Sequence, residues 1–201
     1  YFSPIKIKDE TFADDLAYTK HALPNQKLDD WRRSNVDSLV KQVHHAIKTS
    51  KPWVQFGISP FGVWKNKSTD PKGSDTRAGQ TTYEDLYADP LLWMNKGWLD
   101  YIAPQAYWSM DYPAAGHRVI TKWWSETLPE SNIYMGNGTY KIKNNKDKAW
   151  KKNKEIPNQI LNARQDNNIN GNIFFSAKSL IGKHPKVNRM LRKVYATPAK
   201  N

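Results

Sequence analysis

The sequence predicts an α/β protein, a partial (β/α)8 TIM barrel of roughly four to five βα units. Three observations predict it. Short apolar segments alternate with segments whose apolar residues recur at helical spacing, the pattern of a parallel sheet built from βα units. The tail of one strand and four full strands can be counted, where a closed barrel has about eight. A doubly wound sheet could use as few, but no Gly-rich phosphate loop follows any of these strands.

The elements follow in order. Tyr1-Phe2-Ser3-Pro4-Ile5 reads as a strand end, and residues 6–29 as a long polar loop with a short helical piece. Asp29 or Asp30 can cap a helix running to about Lys48, with Val36, Leu39, Val40, Val43 and Ile47 as its apolar stripe. Residues 52–60 form a buried strand closed by Gly57 and Pro60, and a Gly/Ser/Thr/Asp/Lys-rich loop spans 61–82. A helical region covers 83–96, with Asp89-Pro90 as a cap and first position and Gly97 as a stop. Residues 99–108 read as the next strand, and 114–127 as a helix with Val119, Ile120, Trp123 and Trp124 on its core face. Residues 132–138 and 171–176 are strands, 155–166 and 186–195 helices. The domain is expected over 1–196, with 197–201 a frayed tail.

Composition narrows the function. Thirty-one Lys and Arg against nineteen Asp and Glu leave a charge of +12, a surface that attracts anionic polymers such as nucleic acid or an anionic wall polymer. No single basic helix suited to a groove is present, so nucleic acid ranks last and a solvated cationic surface is the plainer reading. Nine Trp and ten Tyr outnumber six Phe, a bias toward rings with a polar handle that suits wet clefts as well as cores. The absence of Cys excludes disulfides and Cys-based metal sites, and fits a secreted bacterial protein. His44 and His45 are adjacent and do not share a helix face, and the other three histidines are isolated, so neither a metal nor any other cofactor is expected. No apolar run is long enough for a transmembrane segment.

Three motifs are more specific than composition. They are Asp30-Trp31-Arg32-Arg33-Ser34-Asn35-Val36, Gly57-Ile58-Ser59-Pro60-Phe61-Gly62-Val63-Trp64 and Asp100-Tyr101-Ile102-Ala103-Pro104-Gln105-Ala106-Tyr107-Trp108. With Asp70-Pro71-Lys72-Gly73-Ser74, Tyr134-Met135-Gly136 and Phe174-Phe175-Ser176, they resemble the glycosyl-hydrolase-like family of bacterial lipoproteins and secreted proteins, over residues 1 to about 182. That family is related to the enzyme that cleaves denuded peptidoglycan glycans. The resemblance implies the C-terminal half of a (β/α)8 barrel, its last four to five units. It also implies hydrolysis of a cell-wall glycan, peptidoglycan-related, and an extracytoplasmic location. It further implies a pair of aspartates directly ahead of Tyr1 as the catalytic carboxylates. The alternative is a non-catalytic glycan-binding module held on anionic wall polymer.

In a barrel the active site lies at the C-terminal ends of the strands. There the sequence places Ser59, Trp64 and Asn66 after one strand, and Gln105, Tyr107 and Trp108 after the next. Asn137 and Tyr140 follow the third, and Ser176 the fourth. Trp faces stack on sugars, and Asn, Ser and Gln supply hydrogen bonds to hydroxyl or acetamido groups. Trp64 could equally pack under its own loop. Arg33, at a helix start where it opposes the dipole, calls for an anionic partner: a catalytic carboxylate, a substrate acid, or Asp29 or Asp30. Asp70 and Asp111 lie in loops on the correct face and are the candidate acids within the chain, with turn capping or solvation as the alternative for each. Asp100 begins its strand, at the opposite end, and reads as structural.

Overall fold

The computed structural model describes residues 12–198. The expected strand end at residues 1–5 lies outside them. The first element is α1 (Asp15–His21), the short helical piece expected within the opening loop. Then α2 (Leu28–Ser50) leads into β1 (Gly57–Ile58), and α3 (Thr82–Asp85) and α4 (Pro90–Asn95) into β2 (Tyr101–Ile102). Next come α5 (His117–Thr127), β3 (Ile133–Asn137), α6 (Glu155–Ala163) and β4 (Ile169–Phe174), closed by α7 (Ala177–Leu180) and α8 (Pro185–Ala196). The four strands form one parallel sheet in the order β1-β2-β3-β4.

Two of the strands are much shorter than expected. Residues 52–56 do not join the ladder, and Trp53 and Val54 are exposed. Beyond β2, Pro104 has no N–H to give a neighbour, and pairing continues only as isolated bridges from Gln105 to Phe61 and Gly136. The helical region expected at 83–96 is two pieces, α3 and α4. The Asp89 side chain accepts from Leu92 N at 3.3 Å and Pro90 takes the first turn. Gly97 follows with φ +66°, a conformation that favours glycine and ends the helix.

Helices pack on the sheet through three apolar clusters. The central one joins Ile102, Ile133 and Met135 to Ile120 and Trp124 of α5, and Trp124 Nε1 donates to Gly62 O at 2.8 Å. A second joins Val36 and Val40 of α2 to Trp93 and Leu99, and a third joins Ile156 and Ile160 of α6 to Val187 and Leu191 of α8. Val119 of α5, and Leu39 and Val43 of α2, were expected to be core and are exposed. Asp100 ties the ends of two elements: it accepts from Lys48 Nζ at 2.7 Å and from Phe56 N at 2.6 Å. Burial pushes its carboxyl upward, but these two donors outweigh it and hold the pKa below the usual value.

Candidate functional site

The C-terminal ends of β2, β3 and β4 each contribute one aromatic ring to a single cluster. Tyr107 follows β2, Tyr140 sits in a 3-10 turn (Thr139–Lys141) after β3, and Phe175 directly follows β4. Phe175 stacks on Tyr107 with centroids 6.0 Å apart and planes 17° from parallel. Tyr140 meets both rings edge-on, at 6.0 and 5.9 Å. Gly138 makes room for this: a Cβ there would stand 3.1 Å from Tyr107 Cβ. Two of the rings remain open to solvent, Tyr140 at 43% and Phe175 at 57%.

The shelf is uncharged. Burial raises the phenol of Tyr107, helped by neighbouring Tyr140, and burial raises that of Tyr140, so both stay protonated donors at neutral pH. Lys141 lies against it, donating to Tyr107 O at 2.5 Å. Desolvation lowers its pKa, opposed by the charge of Asp147.

The other residues singled out by sequence divide into those near this shelf and those occupied elsewhere. Gln105 Nε2 donates to Ser59 O at 2.8 Å and Ser59 Oγ to Ala103 O at 2.7 Å, so the two side chains tie the ends of β1 and β2 together. The Gln105 amide oxygen makes no hydrogen bond among the described residues. Trp108 is partly buried and packs against the central cluster. Trp64 is 7% exposed: it stacks on Trp123 at 6.0 Å, meets Tyr83 edge-on at 5.6 Å and donates to Asp89 at 3.2 Å. It packs under its own loop and has no open face. Asn66 is spent on that loop, its Oδ1 accepting from Thr76 Oγ1 and Ala78 N, both at 2.8 Å. The partner of Arg33 is Asp30, at 2.8 Å, with the guanidinium 4.3 Å over the Tyr83 ring.

Both candidate acids are paired with a cation. Asp70 accepts from Lys65 Nζ at 2.9 Å and Lys72 N at 3.0 Å, and these bonds hold its carboxyl below the usual range. Asp111 is exposed and paired with Arg118 at 3.1 Å. No group of three His, Asp or Glu side chains arranged to hold a metal occurs among the described residues, and no helix there is long and apolar enough to cross a membrane.

Beneath the shelf lies a buried polar network that sequence reasoning missed. Asn137, at the end of β3, donates to Gln159 Oε1 at 2.9 Å and contacts His117 Nε2 at 3.2 Å, and it accepts from Asn172 of β4 at 2.8 Å. His117 Nδ1 lies 3.2 Å from Thr121 Oγ1. Gln159 also donates to Trp108 O and to Glu155, whose carboxylate accepts from Met110 N at 2.7 Å. Since Asn137 Nδ2 is a donor, His117 Nε2 must accept, which fixes a neutral imidazole with its proton on Nδ1. Bonded partners in it stand between 4 and 51 positions apart in sequence, so no single local spacing signals the network.

The chain is 46% identical to the glycosyl hydrolase YngK of Bacillus subtilis (strain 168) over 190 residues, 92% of the chain and 37% of that protein. It is 44% identical to the glycosyl hydrolase DigH of Escherichia coli (strain K12) over 131 residues, 64% of the chain and 30% of that protein. The chain thus spans about a third of the length of the curated relatives it matches. Residues 1–152 match the family described as Glycosyl hydrolase-like 10, and with most of its length so covered, the chain belongs to that family.

Proposed function

We propose that this chain is part of a glycoside hydrolase acting on a bacterial cell-wall glycan related to peptidoglycan. In this reading the parallel sheet belongs to a (β/α)8 barrel, and Tyr107, Tyr140 and Phe175 are its sugar platform. The observation that carries it is the ring cluster, built from three successive strand ends, the edge at which barrel enzymes place their sites. Exposed rings with phenol hydroxyls suit the apolar faces and hydroxyls of a sugar. Gln105, with its unspent amide oxygen, and Trp108 stand beside the platform as supporting contacts. Glycoside hydrolysis needs two carboxyl groups, and Asp70 and Asp111 are each held by a cation. In this reading residues 12–198 supply the platform, and neither Asp70 nor Asp111 belongs to the catalytic pair. The charge of +12 supports an extracytoplasmic setting on anionic wall polymer.

The test is pull-down and sugar release on peptide-free peptidoglycan glycan strands, using the full-length protein and this chain. Tyr140→Ala is expected to weaken strand binding about tenfold, or ~1.4 kcal/mol, the worth of one exposed ring stack, with an unchanged circular dichroism spectrum. Sugar release by the full-length protein supports the hydrolase. Binding without release moves the assignment to a glycan-binding module, a reading favoured by the ion-paired state of Asp70 and Asp111. Binding indifferent to Tyr140→Ala removes the platform.

A further inference from the structure

A cleft of about 610 Å³ opens beside the stretch that follows Tyr107 and Trp108. That size lies within the roughly 300–1,000 Å³ of small-molecule sites. One wall is the stretch from Ser109 to Pro113, and the other is α6 with the turn before it. The walls are rigidly set. Glu155 accepts from Met110 N, Gln159 donates to Trp108 O at 3.1 Å, and Ser109 donates to Asp147. The cleft thus begins two residues along the chain from the ring platform and shares its supporting network.

Its lining selects a ligand class. Arg118, Lys152 and Lys154 are balanced by Asp111, Asp147 and Glu155, so the cleft carries no net charge to favour an ion of either sign. The side-chain amides of Asn158 and Gln165 make no hydrogen bond among the described residues, and only the oxygen of Asn162 is engaged, by Arg118 at 2.9 Å. Tyr112, 38% exposed, and Leu161, 47% exposed, add apolar surface. Unspent amides beside a ring, in a charge-balanced cleft, are the groups that bind hydroxyl and acetamido substituents.

We propose that this cleft is a second saccharide-binding site, taking neutral acetamido-sugar units of the same glycan that lies on the ring platform. The inference rests on the glycan reading above, and its test separates the two. Oligomers of N-acetylglucosamine two, four and six units long are titrated calorimetrically into the chain, its Asn158→Ala/Gln165→Ala variant and Tyr140→Ala. Both cleft side chains are exposed and unbonded, so the double variant should keep its fold, checked by circular dichroism. The hexamer is expected to bind about tenfold more tightly than the dimer, and the double variant to lose that gain while its dimer affinity is unchanged, the effect of one or two net hydrogen bonds. Tyr140→Ala should weaken every length. A length gain that survives the double variant, or no gain at all, overturns the second site and leaves the platform standing. No binding of any length by the folded chain overturns the platform, and the second site with it.

Discussion

Acidification from pH 7 to pH 4 is expected to remove roughly 3 kcal/mol of stability through His117 alone. The ring is fully buried between α5 and the end of β3, and its Nε2 serves as an acceptor for Asn137. Burial, and then the nearby charge of Arg118, push its pKa from 6.5 to about 3. The unfolded chain binds this proton below about pH 6.5, and the folded chain refuses it until about pH 3. Stability is therefore full above 6.5, falls through that window, and loses nothing further from this group below it. Asp14 and Asp100, whose carboxyls are held below their usual values, add their losses only in the acid range below about 4. The two contributions separate by pH. Urea midpoints at pH 7, 6, 5 and 4 should fall with a slope near one proton, and His117→Gln, which keeps an acceptor but cannot charge, should flatten that slope between 6 and 5. An unchanged slope in His117→Gln would show that another group controls acid stability.

Asp14→Ala is expected to cost roughly 1.5–3 kcal/mol, the worth of hydrogen bonds made to a charged group. Arg32, 7% exposed, is gripped by Asp14 through two bonds of 2.8 Å and donates to Tyr87 OH at 2.9 Å. Its guanidinium carbon lies 5.2 Å from the Phe12 ring centroid and 5.0 Å from that of Tyr87. The bidentate bond to Arg32 holds the Asp14 carboxyl below its usual range, so the pair forms at any pH above that of an ordinary aspartate titration and weakens as acid protonates Asp14. The pair links the start of α1 to α2 across 18 residues. Asp14→Asn, which keeps an acceptor for Arg32 but not the charge, should lose less than Asp14→Ala. Urea unfolding of the two variants measures this, and an Asp14→Ala variant as stable as the parent would show that the bidentate bond does not hold α1 to α2.

The sequence was most legible where a pattern is local. The alternation of apolar segments with helices yields the parallel order of the four strands, and Asp89-Pro90 and Gly97 mark the ends of α4. It was less legible where tertiary contacts decide. In the Trp31-Arg32-Arg33 motif the functional interest fell on Arg33, yet Arg33 has the short-range partner Asp30, while Arg32 makes the long-range buried pair. Trp64 and Trp123 are 59 positions apart, and only their stacking shows that Trp64 is packed and not presented. Phe175 was read as part of a motif and not as a platform ring, since nothing local tells that β4 ends beside Tyr107 and Tyr140. His117 and Gln159 carry no signal alone and Asn137 stands out only as a strand-end candidate, and their shared role arises from being sealed together under the sheet edge.

The strand order in space is also the strand order in the chain. Each of β2, β3 and β4 therefore finds one neighbour in the strand synthesised just before it. Such a sheet can grow one unit at a time as the chain leaves the ribosome, keeping the sequence separation of its contacts low for a parallel architecture.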